Sequence, residues 1–463
     1  MSNFDNGNLA NLKDKKVLVV GLGRSGIAAA QALVKLGADV SVQDSKDEYE
    51  LEPNLITFLR ANNVECYFKR IPHDLADFNM IVLSPGVSPE LYWVVEAKEQ
   101  GVEIIGELEI AYRIGKGNYV AITGTNGKTT TTTLVGEIFK AYGRKTHVVG
   151  NIGTAVISAS AKADESEWLV TEVSSFQLET TRYFKPKLSA ILNLTPDHLN
   201  RHHTMEAYGN AKAMIFQNQI ESDYLIINKD DKSCMDLAKN AKARVIPFSR
   251  KERLETGAYV DEGEIVISDE AGNLHNVCSV ADLKVMGDHN LENVLAAAAI
   301  CFFSGIDSHT IGETVKAFQG VEHRIEYAGT IDGVEYYNDS KGTNTDAAIT
   351  AIRALEENIV LIAGGDGKSQ DFSFFVKEIK GRVKKLLLLG RDAKEIAKSA
   401  EDNGFKDIIF VKDMEEAVRV AAEVSEVGYR VLLSPACASW DMYDNFEQRG
   451  RHFKDCVNRL GEK

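Results

Sequence analysis

Gly124-Thr-Asn-Gly-Lys-Thr-Thr130 gathers glycines, a lysine and hydroxyl side chains in one short stretch, which is the composition of a loop that wraps phosphate oxygens. Only Thr125 and Asn126 separate Gly124 from Gly127, a tighter spacing than the usual Walker A loop. Glycines let the backbone close on the anion. Lys128 supplies a point charge to the outer phosphates, and Thr129 a hydroxyl for Mg²⁺. The apolar run "YVAI" precedes the loop and a helical pattern follows it, so the reading is an ATP site.

Further along are groups that could complete such a site. Glu172 ends the run "WLVTEVSS" and is placed like a Walker B acid, able to hold Mg²⁺. In "TPDHLNRHH", His198 directly follows a strand end and reads as a site residue, whereas His202 and His203 read as loop caps or solvated side chains. Lys212 in "YGNAKAMIF", taken alone, reads as a lysine whose stem lies along apolar surface with its charge in water.

A second glycine motif, Gly21-Leu-Gly-Arg-Ser-Gly26, follows a strand and opens a helix, with Asp44 ending the next strand. Backbone N–H groups at such a helix start can hold a pyrophosphate. "LSPG", Ser84 to Gly86, ends another strand of the same segment and adds to a nucleotide-diphosphate crevice. On the residues alone, a tight turn or an NAD oxidoreductase also fits the glycine motif. The phosphate loop alone also fits a protein that uses ATP only to switch shape. Asn290 and Asn293 open an apolar helix, either capping it or touching a base. Arg324 in "EHRIE" either reaches a phosphate or makes a linker ion pair. "NDSKGTN", "GGDGK" and "SPACASWDMYDNFEQRG" each follow a strand, and three polar strand-end loops in one parallel sheet suggest a binding edge.

Positioning these loops requires repeated strand-then-helix units. Short runs apolar on both faces, such as "KVLVVG", "MIVLSPG", "YVAITG", "NIVLIAGGDG" and "KKLLLLG", alternate with helical patterns, which indicates parallel sheets covered by helices and an α/β fold. The pattern restarts near Val17, near Tyr119 and at "GVEYYNDSKGTN", giving three expected domains: 1–106, 107–320 and 321–463. Between Arg253 and Val280, short strands with turn signals suggest a hairpin insertion. A length of 463 residues agrees with several cores.

A net charge of -15 argues against a nucleic-acid surface. Six cysteines without CxxC spacing read as reduced, buried thiols rather than a zinc site. The N-terminal residues carry no signal-peptide core, and the longest apolar run, Val294 to Phe303, is too short to cross a bilayer, so a cytoplasmic chain without membrane insertion is expected.

Read in order, "GLGRSG", "GTNGKTT", "EVSSFQLE", "LNLTPDH", "AKAMIF", "GDHNLEN", "HRIE", "NDSKGTN", "GGDGK" and "SPACASWDMYDNFEQRG" resemble the Mur ligases over essentially the whole chain, most closely the branch that adds D-glutamate. The resemblance implies a Rossmann-like N-terminal domain for the UDP-linked substrate, a central P-loop ATPase-like domain, and a Rossmann-like C-terminal domain that closes on the site. It implies ATP-dependent amide formation between UDP-N-acetylmuramoyl-L-alanine and D-glutamate through an acyl phosphate. That reaction belongs to peptidoglycan synthesis, and so to cell-wall biogenesis, cell shape and division. Lys128, His198 and Lys212 are then catalytic. Gly124, Thr125, Asn126, Gly127, Lys128, Thr129, Thr130, Asn290, Asn293, His323, Arg324 and Asp339 bind ATP. Two Mg²⁺ ions are implied, served by Thr129, Glu172, His198 and Lys212, the last carbamylated by CO₂. Ser25, Asp44, Ser45, Ser84, Gly86 and Asn151 hold the UDP substrate. Thr343, Lys368, Ser439 and Phe446 hold D-glutamate, with Lys341 in the same loop. A monomer is expected.

Overall fold

The two-faced apolar runs become strands buried on both sides, as parallel pairing between helical layers demands. The computed structural model describes residues 12–355, 357–367 and 371–462. Three sheets account for its strands, each drawn from one stretch of the chain.

The first sheet contains β1 (Lys16–Val20), β2 (Asp39–Asp44), β3 (Glu65–Phe68), β4 (Met80–Leu83) and β5 (Glu103–Gly106). Its order is β3-β2-β1-β4-β5 and every pairing is parallel. That order reverses direction at β1, where the crevice outside the strand ends opens beside the Gly21–Gly26 turn. Gly26 is required there, because a Cβ on it would lie 1.9 Å from the Gly21 carbonyl oxygen.

The second sheet contains β6 (Asn118–Thr123), β7 (Thr146–Gly150), β8 (Trp168–Glu172), β9 (Leu188–Ile191), β10 (Tyr224–Asn228), β11 (Arg244–Ser249), β12 (Gly257–Asp261), β13 (Glu264–Ser268) and β14 (Leu274–Ser279). Its order is β14-β13-β12-β11-β10-β9-β6-β8-β7. The short strands expected after Arg253 are an antiparallel meander, β12 to β14, that extends this sheet at its edge rather than standing apart from it.

The third sheet contains β15 (Glu326–Ile331), β16 (Val334–Asn338), β17 (Ile359–Gly364), β18 (Val383–Leu389), β19 (Ile408–Phe410) and β20 (Arg430–Leu433), in the order β15-β16-β20-β17-β18-β19. Only β15 runs antiparallel to its neighbour. The architecture is therefore three-domain α/β.

Two compact units emerge: one runs to Asp282 and includes Glu292–Lys316, and the other comprises Leu283–Leu291 and the chain from Ala317. The first two sheets belong to the first unit. Their apolar core is continuous, joined through the helix Glu107–Ile114, which packs against the helix Val156–Ser160. Two acids are buried on that helix. Glu109 pairs with Arg113 at 2.8 Å and accepts the backbone N–H groups of Arg182, Tyr183 and Phe184. Glu107 accepts the Ile157 N–H at 2.6 Å, and burial pushes its carboxyl up to about 7.

Candidate active site

The phosphate loop sits between β6 and the helix Lys128–Ala141, whose N-cap is Gly127. Gly127 has φ +81°, and a Cβ there would meet the Asn293 side-chain oxygen at 2.1 Å, so only glycine fits beneath that asparagine. The loop is pinned from the side by the segment after β9. The Asn126 N–H donates to Asn193 Oδ1 at 2.8 Å, and the Asn193 amide returns a bond to the Asn126 carbonyl at 3.2 Å. Thr125 Oγ1 donates to the Thr195 carbonyl and accepts the Thr195 N–H, both at 3.1 Å.

Lys128 Nζ folds back onto the carbonyls of Gly124 and Thr125, at 2.9 and 2.7 Å. Lys212, on the helix Met205–Ala213, is 1% exposed, and its Nζ reaches the same Gly124 carbonyl at 2.8 Å. Its nitrogen also lies 4.5 Å from the Tyr208 ring centre. The surface lysine suggested by its local sequence is thus replaced by one of the most buried side chains in the molecule. Burial, then the charge of Lys128, hold its amine well below the ordinary lysine range.

Glu172 ends β8, in register with Ile122 of β6, which places it beside the loop. It is 1% exposed. Its Oε1 accepts the Asn151 amide at 2.9 Å, while Oε2 is buried with no hydrogen-bond partner. Asn151 therefore faces Glu172 through its side chain. Thr129 and Thr130 are buried in the first helical turn.

His198 has a left-handed backbone at φ 54°, and its ring packs edge-on against Phe176 with centres 4.8 Å apart. His202 departs from its expected role as a loop cap. It is 6% exposed, with Nε2 at 2.9 Å from Ser175 Oγ and Nδ1 at 3.1 Å from Glu179. Burial and the adjacent Arg201 pull its imidazole down to about 4, so it is neutral at ordinary pH. Glu179 also accepts from Arg201 at 2.7 Å, and Arg201 donates to the carbonyls of Pro85 and Val87, both at 3.2 Å. The "LSPG" loop is thereby tied to the helix Leu199–His202 that follows His198. His203 is exposed, as a solvated loop residue should be.

In the first sheet's crevice, Asp44 is buried and accepts the N–H groups of Leu22 and Lys46 at 2.5 and 2.9 Å. Ser84 Oγ donates to the Gly21 carbonyl at 2.6 Å. Ser25 lies in the first turn of the helix Arg24–Lys35, and Ser45 and Gly86 are exposed at strand ends. Arg24 donates to the carbonyls of Gly153 and Gly150, at 2.9 and 3.3 Å, so it fastens the loop that carries Asn151.

In the second unit, His323 is 2% exposed and Asn338 donates to its Nδ1 at 2.9 Å, which puts the ring proton on Nε2. Glu322, His323 and Glu326 offer ligand atoms within 4.8 Å of one another, but Lys454 already bonds both carboxylates, at 2.7 and 2.8 Å. Asp339 is 1% exposed and accepts Ser434 Oγ at 2.7 Å. Burial lifts its carboxyl to about 6, opposed by the nearby Arg324. Arg324 Nε is buried without a hydrogen-bond partner. Asn290, in the first turn of the helix Asp288–Phe303, donates to the Met286 carbonyl at 2.8 Å, whereas Asn293, three residues later on that helix, belongs to the first unit.

Thr343, Ser439 and Phe446 all follow strand ends of the third sheet or open the next helix. Ser439 is buried, and Phe446 begins the helix Phe446–Gly461 with Lys341 Nζ 5.5 Å from its ring centre. Lys368 lies outside the described residues. Sequence reasoning passed over Asn193, Tyr208, Glu179, Arg201 and Arg449. Tyr208 had a usable signal, since it precedes Lys212 by one helical turn.

Residues 15–106 match the family model "Mur ligase MurD-like, N-terminal domain", residues 122–301 the "Mur ligase middle domain", and residues 323–437 the "Mur ligase, glutamate ligase domain". A protein named UDP-N-acetylmuramoylalanine--D-glutamate ligase from Caldanaerobacter subterraneus subsp. tengcongensis is 50% identical over 452 residues, 97% of this chain and 99% of the relative. One of the same name from Clostridioides difficile is 48% identical over 451 residues, 97% of this chain and 100% of the relative. The crystal structure of UDP-N-acetylmuramate-alanine ligase MurC from Thermotoga maritima shares the fold, with a TM-score of 0.58 at 21% identity, covering 96% of this chain and 99% of that one.

Proposed function

The chain belongs to the Mur ligase family, and on that premise we propose how its residues carry out ligation. It is an ATP-dependent ligase that adds D-glutamate to UDP-N-acetylmuramoyl-L-alanine in peptidoglycan precursor synthesis. The observation that carries the residue assignment is the gathering of Lys128, Lys212 and the half-satisfied Glu172 around one phosphate loop.

A carboxylate is a poor electrophile because its charge repels nucleophiles and it has no good leaving group. In the first step its oxygen bonds to the γ-phosphorus of ATP and the bond to ADP breaks. In the second, the D-glutamate nitrogen bonds to the acyl carbon, the bond to phosphate breaks, and the amine proton is lost. Lys128 and the N–H groups at the start of the helix Lys128–Ala141 hold the outer phosphates and the charge that builds on them. Arg324 and Asp339 serve the nucleotide from the C-terminal domain, with Asn290, Asn293 and His323. Thr343, Ser439, Phe446 and Lys368 hold D-glutamate, and the crevice of Ser25, Asp44, Ser45, Ser84, Gly86 and Asn151 holds the UDP group. These assignments follow domains at 1–106, 107–320 and 321–463.

Two features suit the residues to divalent metal. Glu172 buries a carboxylate oxygen that lacks a partner, and a buried amine at Lys212 disfavours the ammonium form and so favours reaction with CO₂. Thr129 and Glu172, and His198 with a carbamylated Lys212, would hold Mg²⁺, which would supply neutralising charge to the phosphoryl oxygens. Among the described residues no helix is long and apolar enough to cross a membrane. All assigned residues come from one chain, so a monomer suffices, which sedimentation velocity tests.

The deciding assay is phosphate release from ATP with the UDP-linked substrate and either D- or L-glutamate. Release confined to D-glutamate supports the reading. Equal release with both, or none with D-glutamate, overturns it.

A further inference from the structure

Arg449 is 3% exposed, yet among the described residues no carboxylate is a hydrogen-bond partner of its guanidinium. Nε donates to Ser340 Oγ at 3.0 Å, and Nη2 donates to the carbonyls of Ser340 and Cys437, at 2.8 and 3.1 Å. Burial pulls this group down to about 10, opposed only in part by nearby groups that include the Asp441 and Asp339 carboxylates. A buried cation held only by neutral acceptors opposes folding unless its geometry does something an apolar side chain would not.

The acceptors show what that geometry joins. Ser340 follows β16 and Cys437 follows β20, two adjacent parallel strands. Ser340 Oγ also donates to the Phe446 carbonyl at 2.8 Å, at the first residue of the helix on which Arg449 sits. The far edge of the guanidinium faces the loop after β17, where a Cβ on Gly365 would lie 3.4 Å from Nη1. Thr343 is three residues beyond Ser340, and Ser439 two beyond Cys437. One planar fork therefore fixes the segments that carry Thr343, Ser439 and Phe446. A lysine, with one nitrogen, cannot meet these acceptors at the same mutual angles.

We propose that Arg449 is a positioning residue for the amino-acid substrate, setting the mutual placement of Thr343, Ser439 and Phe446 and hence the fit of D-glutamate. This rests on the reading of those three residues as the D-glutamate side of the site. Arg449 is too buried to touch the substrate. It acts through the loops it holds, so its loss appears in binding of one substrate and not the others.

The test uses the full-length enzyme with Arg449→Lys, Arg449→Met and Ser340→Ala, measuring kcat, KM for each of the three substrates and thermal melting. Displacement of the loops raises KM for D-glutamate about tenfold in R449K and about a hundredfold in R449M. KM for ATP and for the UDP-linked substrate stays within about twofold. Ser340→Ala removes one acceptor and keeps the carbonyl, giving a smaller rise in the same KM and serving if the arginine variants fail to fold. An unchanged KM for D-glutamate, or a parallel rise in all three KM values with a lowered melting temperature, overturns the proposal. If the wild type itself shows no D-glutamate-dependent phosphate release, the underlying reading falls. If it does and the variants match it, only the role of Arg449 falls.

Discussion

Lys128 and Lys212 donate to the same acceptor, the Gly124 carbonyl, at 2.9 and 2.8 Å. Two ammonium groups on one buried carbonyl repel each other, and burial together with the Lys128 charge holds the Lys212 amine well below the ordinary lysine range, which disfavours its ammonium form. A neutral amine is the form that reacts with CO₂. Enzyme stripped of CO₂ should lose activity and regain it with bicarbonate, and ¹³C-bicarbonate should give a carbonyl resonance that is absent in Lys212→Ala. Full activity without CO₂ and no such resonance would eliminate the carbamate.

Glu172→Gln keeps the shape that receives the Asn151 amide and removes the charge from the unpartnered oxygen. The Mg²⁺ concentration for half-maximal rate should rise by about 10- to 100-fold, with the melting temperature equal to or above that of the wild type. A Mg²⁺ titration alongside thermal melting checks both.

Glu107 has a carboxyl raised by burial to about 7, so the folded state binds its proton more tightly than the unfolded chain does. The resulting stabilisation is complete below the unfolded value near 4.5 and is lost as pH rises through about 7. Glu107→Gln, neutral at all pH, should cancel this loss, which is on the order of 3 kcal/mol. Melting curves from pH 5 to 9 should converge at the acid end and separate at the alkaline end, with the variant more stable. Parallel curves would reject the assignment.

Arg201 connects the Pro85 and Val87 carbonyls to Glu179, which in turn holds His202. Arg201→Ala should loosen the "LSPG" loop and raise KM for the UDP-linked substrate about tenfold, with a smaller effect on KM for D-glutamate. Because His202 stays neutral down to about pH 4, its ionisation should be missing from the pH profile of kcat/KM above pH 5. Steady-state kinetics across pH measures both effects.

The strands and the phosphate loop were readable because two-faced apolar runs and glycine spacing are local properties of the chain. The burial of Lys212 was not, since the residues beside it on its helix say nothing about the Gly124 carbonyl 88 positions away. His202 misled for the same reason. Its partners, Ser175 and Glu179, lie on a separate segment, and a histidine in a polar run looks solvated until the fold closes over it. Arg449 stood in plain view within "NFEQRG", but its function depends on two strand ends that only the sheet order makes neighbours.

The bonds that Asn193 and Thr195 make to Asn126 and Thr125 bear on the timing of nucleotide capture. A loop already frozen by its own scaffold has little conformational freedom left to surrender when the ligand arrives. Ordering of this loop should then add little to the time or to the heat-capacity change of nucleotide binding.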